Sequence, residues 1–141
     1  MNNAFKPFLA ILALVVILAG ISLLRGGWNR GGAPVEGWMS DIGDAQAEAK
    51  RTSRPMLVYF TASWCGPCQQ MKKDTLPDAS VKQSLAKYVP VMIDIDQQPD
   101  VAQKFGVRSI PTFMAVDADG TVLKMSGGGM PASAFASWLN G

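Results

Sequence analysis

Trp64-Cys65-Gly66-Pro67-Cys68 contains both cysteines of the 141-residue chain, with two residues between the sulfurs. The run lies where a β-favouring stretch, Met56 to Ala62, gives way to a helical pattern from about Gly66. A thiol in the first turn of a helix faces unpaired backbone N–H groups and the positive end of the dipole, which favour its ionised form. The thiolate is the species that attacks a disulfide. The second sulfur, one helical turn on, can reach the first and close a small ring. Pro67 suits the opening turn, where no N–H is required of it. The pattern predicts an exposed Cys65 as nucleophile and a more buried Cys68 that resolves the mixed disulfide.

Other uses of two cysteines fit less well. A structural zinc site needs two more ligands, and the chain has neither a third cysteine nor a histidine. Covalent haem attachment needs histidine where Gln69 stands. A purely structural bridge across two residues closes too small a loop to stabilise much. Copper(I) is soft enough for two sulfurs, but no methionine-rich or histidine motif accompanies the pair. The expected redox group is the Cys65–Cys68 disulfide itself, with no metal and no cofactor. A net charge of +2 argues against a nucleic-acid partner.

The elements that must hold this pair can be read in order. Trp38, Ile42, Ala45 and Ala49 recur at helical spacing, with Ser40 or Asp41 as N-cap and an end before Pro55. Met56 to Ala62 reads as a buried central strand. The helix from Gly66 should be bent or interrupted at Pro77, with Asp78 capping a segment that aligns Val81, Leu85 and Tyr88. Val89 to Asp96 predicts a strand and Asp100 to Phe105 a short helix. Thr112 to Val116 and Thr121 to Met125 flank an Asp-Gly turn signal, and Pro131 opens a last helix through Leu139. Parallel crossovers followed by a hairpin predict an α/β fold: a mixed central sheet of about four strands flanked by helices.

A different composition precedes this domain. Residues 8 to 24 carry no charge and are apolar except for Gly20 and Ser22. As a helix they would span about 25 Å, close to a hydrocarbon core of about 30 Å. A buried core helix seldom lacks a polar stripe. A cleaved signal peptide needs small residues at its cleavage site, and here Gly20-Ile21-Ser22 lies inside the run while Pro34 obstructs Gly31-Gly32-Ala33. The preferred reading is one N-terminal transmembrane helix, with a signal sequence as the competitor. The organisation is then a flank 1–7, an anchor 8–24, a Gly-rich tether 25–37 and a domain 38–141. Lys6 on one side and Arg25 and Arg30 on the other leave orientation undecided by charge.

The domain resembles the thioredoxin family over roughly residues 40 to 140. The likeness rests on the strand before WCGPC, on Ile110-Pro111-Thr112 and on the glycine group after the hairpin, all in the family's order. It implies that Pro111 is cis and packs beside the disulfide. It also implies that Gly66 and Pro67 shape the active-site turn. Ile110 would offer its backbone to an extended substrate segment, and Trp64 would border the groove. Two positions depart from the pattern. A buried aspartate is usual six residues before the first cysteine, where Tyr59 stands, and a lysine is often paired with it where Met92 falls. A phenol with a pKa of about 10 is a poor base at neutral pH. Asp94 or an ordered water is the candidate proton acceptor, although Asp94 and Asp96 also suit a strand end and a turn cap.

The segment after the cysteines is similar to the thioredoxin-like domains of bacterial thiol:disulfide interchange proteins. With the anchor, that similarity implies a single-pass protein of the bacterial cytoplasmic membrane with its domain in the periplasm. Protein thiols and disulfides would be its substrates, and a membrane protein its electron donor. The expected activity is thiol:disulfide exchange, with reduction favoured by the Gly-Pro between the cysteines, as in reducing thioredoxins. The competing class is a chaperone or assembly factor of the same fold that holds cysteine-bearing clients with little turnover.

Overall fold

The computed structural model describes residues 35–141. The apolar segment 8–24 and the tether as far as residue 34 lie outside the described residues. Among the described residues, no helix is long and apolar enough to cross a membrane.

Helix α1 (Ile42–Thr52) starts at Asp41, whose carboxylate accepts from the Asp44 N–H at 2.9 Å, and it turns back at Ser53 in the left-handed region. Trp38 is not part of it. The chain there runs as an isolated bridge beside strand β2 (Val89–Asp94), with the Met39 N–H donating to Pro90 O and Met39 O accepting from the Met92 N–H, both at 2.9 Å. The backbone of Met39 thereby covers an open sheet edge, and this pairing outweighs the helical spacing of Trp38.

Strand β1 (Met56–Thr61) is buried at every position, as an apolar run covered on both faces must be. It leads through a short loop to α2 (Gly66–Gln70), which continues without a break into a π turn, Met71–Thr75. The expected interruption at Pro77 thus begins six residues earlier. The Leu76 N–H bonds Met71 O at 2.8 Å, five residues back, while the Thr75 hydroxyl donates to Met130 O at 2.8 Å. Asp78 caps α3 (Ala79–Leu85) through the Ser80 N–H at 2.8 Å.

Strand β2 (Val89–Asp94) stops two residues short of the expected end. Asp94 Oδ1 accepts from the Asp96 N–H at 3.0 Å and so turns the chain. Helix α4 (Pro99–Lys104), strands β3 (Thr112–Val116) and β4 (Val122–Gly127), and helix α5 (Ala132–Asn140) complete the domain. The β3–β4 turn is built by Asp117, whose side chain accepts from the N–H groups of Asp119 and Thr121, with Gly120 at φ +95°.

The four strands lie in the order β2-β1-β3-β4, with β1 parallel to β2 and the other pairs antiparallel. Alternation along β1 divides the core. Leu57 and Tyr59 face a cluster with Cys68, Met71, Phe113 and Phe135, whereas Met56, Val58 and Phe60 face one with Ala45, Ala49 and Met114. On the first face the rings form a row. Trp38 meets Tyr59 edge-on at 5.9 Å, Tyr59 stacks on Phe113 at 4.3 Å, and Phe113 meets Phe135 at 4.6 Å. The cysteine-bearing helix packs on this aromatic face.

Candidate redox site

Cys65 is the N-cap of α2. Its sulfur accepts from the Cys68 N–H at 3.3 Å, and its carbonyl accepts from the Gln69 N–H at 3.0 Å. The loop leading to it is held by Gln69, whose side-chain amide donates to Ala62 O and Ser63 O at 3.3 and 3.1 Å. Pro67 sits in the first turn, and Gly66 and Pro67 are exposed. Cys65 and Cys68 are joined in a disulfide, their Cα atoms 5.2 Å apart. Cys68 is fully buried and Cys65 is 4% exposed. The order of burial is as expected, but Cys65 is not an exposed residue in this oxidised form.

The Ile110-Pro111 peptide bond is cis, and Pro111 is buried. Its loop is tied on two sides. The Thr112 hydroxyl donates to Ser109 O at 2.7 Å, and the Gly128 N–H donates to Pro111 O at 2.8 Å. Gly128 does this at φ +85°, a conformation that favours glycine. Trp64 is 67% exposed, and its indole N–H donates to Asp96 Oδ2 at 2.8 Å, which restrains the ring. Trp64 and Ile110 line one groove of about 280 Å³ with Ile95, Arg108 and Ser109. A second groove of about 450 Å³ runs from Pro67 past Met71 and Asp74 to Met130.

Beneath the disulfide, Tyr59 is fully buried and its hydroxyl donates to Cys68 O at 3.0 Å. Burial pushes its phenol up to about 12, so it is a structural donor and no base at neutral pH. Met92 is its partner across the β1–β2 ladder, and Asp94 is the partner of Thr61 two residues on. Asp94 is half-buried and caps the turn to Asp96. Lys72, half-buried on the π turn, is drawn below its ordinary value by burial, against the opposing pull of the Asp94 carboxylate. Thr61 Oγ1 is buried with no partner at full hydrogen-bonding geometry, and it lies near enough to the Tyr59 phenol to oppose in part the effect of burial there.

The site therefore gathers Trp64, Cys65, Gly66, Pro67 and Cys68 on one turn, and it brings Ile110 into the groove beside Trp64. Asp96, Lys72 and Thr61 were not anticipated as site residues. A tryptophan and an aspartate 32 positions apart carry no local pattern, and neither does a buried hydroxyl. Among the described residues no acidic or cysteine cluster could hold a metal ion. Chemically, the arrangement can exchange a disulfide through one sulfur at a helix N-terminus, closed by a second from within.

Residues 42–141 match the model of a thioredoxin-like domain. A thioredoxin of Pyropia yezoensis is 36% identical over 104 residues, which cover 72% of this chain and 94% of that protein. A thioredoxin of Thermus thermophilus superposes with a TM-score of 0.65 at 28% identity, covering 73% of this chain and 84% of the other. The C-terminal domain of Neisseria meningitidis DsbD in its oxidised form shares the fold with a TM-score of 0.63 at 21% identity, covering 73% and 97%. The chain belongs to the thioredoxin-like family and is a protein-disulfide oxidoreductase whose redox group is the Cys65–Cys68 pair.

Proposed function

We propose that the protein is a membrane-anchored reductase of protein disulfides working on the periplasmic side of a bacterial cytoplasmic membrane. The observation that carries the exchange chemistry is Cys65 at the helix N-cap, backed by a fully buried Cys68 and bordered by the Trp64–Ile110 groove. In the reduced protein, Cys65 thiolate attacks one sulfur of a client disulfide. A bond forms from Cys65 to that sulfur, and the other client sulfur leaves as a thiolate. Cys68, deprotonated, then attacks Cys65, the Cys65–client bond breaks, and the second client sulfur departs as a thiolate. The client is reduced by two electrons and the Cys65–Cys68 pair is oxidised.

The client segment lies extended across Ile110 and Pro111, with Trp64 at its side. A membrane donor returns two electrons to the pair. The anchoring reading is supported by the uncharged segment 8–24 followed by a glycine-rich tether, and reduction by the Gly-Pro between the cysteines. Equilibration with glutathione buffers tests direction: a potential near thioredoxin's, about −270 mV, is expected, and one near that of the oxidant DsbA, about −120 mV, would overturn it. A client-holding role is the second reading, favoured by Tyr59 in place of an acid. Insulin reduction separates the two, because a holding protein would show no turnover under a reductant that supports thioredoxin.

A further inference from the structure

Cys68 must lose its proton inside the core, and the residue below it cannot take that proton. Tyr59 donates its own to Cys68 O, and its ladder partner is Met92. The charged groups that face this layer are few. Among the described residues, β1 offers Tyr59, β2 offers Asp94, and Tyr88 in the same buried cluster donates its hydroxyl to Leu139 O. Helix α5 (Ala132–Asn140) and the glycine segment before it carry no ionisable side chain. Asp96 is engaged with the Trp64 indole. On the cysteine-bearing helix itself, Lys73 and Asp74 are exposed, while Lys72 is half-buried.

Lys72 follows Cys68 by four residues along an unbroken helical path, and residues at that spacing are neighbours, about 5–6 Å apart at Cβ. Registered residues of β1 and β2 share a face, so Asp94 stands with Thr61 and Tyr59 on the face against which α2 packs. We propose that Lys72 is the charge partner that stabilises the Cys68 thiolate, and that Asp94 restrains Lys72 instead of accepting the thiol's proton. The inference deepens the proposed exchange chemistry and rests on it.

In the mixed disulfide the Lys72 ammonium faces Asp94. When Cys68 ionises, its proton passes to solvent water. The ammonium then has a second anion, the Cys68 thiolate, to stabilise. Bond formation to Cys65 removes that negative charge, the client thiolate carries it away, and Lys72 returns to Asp94. The effect of Asp94 on Lys72 supports their proximity, since its carboxylate holds the lysine's charge against the cost of burial. Lys72 is a positioning charge, acting on the reacting sulfur through the field it sets.

The test mixes reduced full-length protein with an aromatic disulfide that releases a coloured thiolate twice. The first release reports Cys65 and the second reports Cys68. Lys72→Met and Lys72→Gln should raise the apparent pKa of the second release by about one unit, slowing it about tenfold at neutral pH and converging with wild type at alkaline pH. Lys72→Arg should keep the wild-type profile. Asp94→Asn should speed the second release at neutral pH, because Lys72 is then unopposed. A wild-type pH profile in both neutral variants overturns the proposal, as does a slower second release in Asp94→Asn, which would make Asp94 the base. The first release tracks Cys65 in the same trace. A protein that shows this profile yet reduces no protein disulfide would fail as a reductase and leave the role of Lys72 standing.

Discussion

Tyr59 is the residue at which the site departs most clearly from its family, and its role is structural. Its hydroxyl fastens β1 to the carbonyl of Cys68, and its ring lies between Trp38 and Phe113. Tyr59→Phe keeps the stacking and removes one buried bond, which should cost about 1 kcal/mol at pH 7 in denaturant unfolding. The pH dependence has a definite sign. A phenol whose folded pKa stands at about 12, above an unfolded value of about 10, contributes fully below the unfolded value and is lost as pH rises through the folded one. The wild-type advantage over Tyr59→Phe should therefore shrink between about pH 10 and 12, and parallel unfolding curves across that range measure it.

At the scale of elements, the site depends on two segments that meet at the glycine-rich turn after β4. Gly128 bonds the carbonyl of cis-Pro111, while Met130 accepts from Thr75 at the end of the π turn. An added Cβ at Gly128 meets nothing within 4 Å, so the cost of Gly128→Ala is the backbone's alone, about 1–2 kcal/mol for a left-handed residue. Unfolding measurements should return that loss, and a neutral result would show that the loop relaxes without it. Much of this level was legible in the sequence. The run Met56 to Ala62 announced a buried central strand, Asp78 a cap, and Asp117 to Gly120 a turn. What was not legible depends on partners distant in the chain. Trp38 follows helical spacing, yet the neighbouring backbone serves the edge of β2. The π turn answers to Met130, 55 residues beyond Thr75. The Trp64–Asp96 bond crosses 32 positions, and the buried hydroxyl of Thr61 exists only in the packed layer. The two cysteines were plain from spacing alone, whereas the cis bond at Pro111 came from family likeness, since X–Pro bonds are cis in about 5–6% of cases in folded proteins.

For the whole molecule, division of labour follows composition. The stretch from residue 38 carries ten acidic and ten basic residues, and the excess of +2 lies around the uncharged segment 8–24. The four-stranded sheet and the helices that cover it lie within residues 35–141, so a chain starting at residue 35 should fold and exchange disulfides as the full chain does. On the anchoring proposal, the full chain should sediment with membranes and resist alkaline carbonate, and the shortened chain should stay in the supernatant. A full chain released by carbonate would contradict an anchor. The central claim concerns the two sulfurs, with Cys65 attacking and Cys68 resolving. It is tested most directly by incubating Cys68→Ser and Cys65→Ser proteins with a protein disulfide and measuring the covalent adduct by mass. The account predicts a stable mixed disulfide on Cys65 in the Cys68→Ser protein and almost none in Cys65→Ser. An adduct that forms on Cys68 as readily as on Cys65, or on neither, would contradict it.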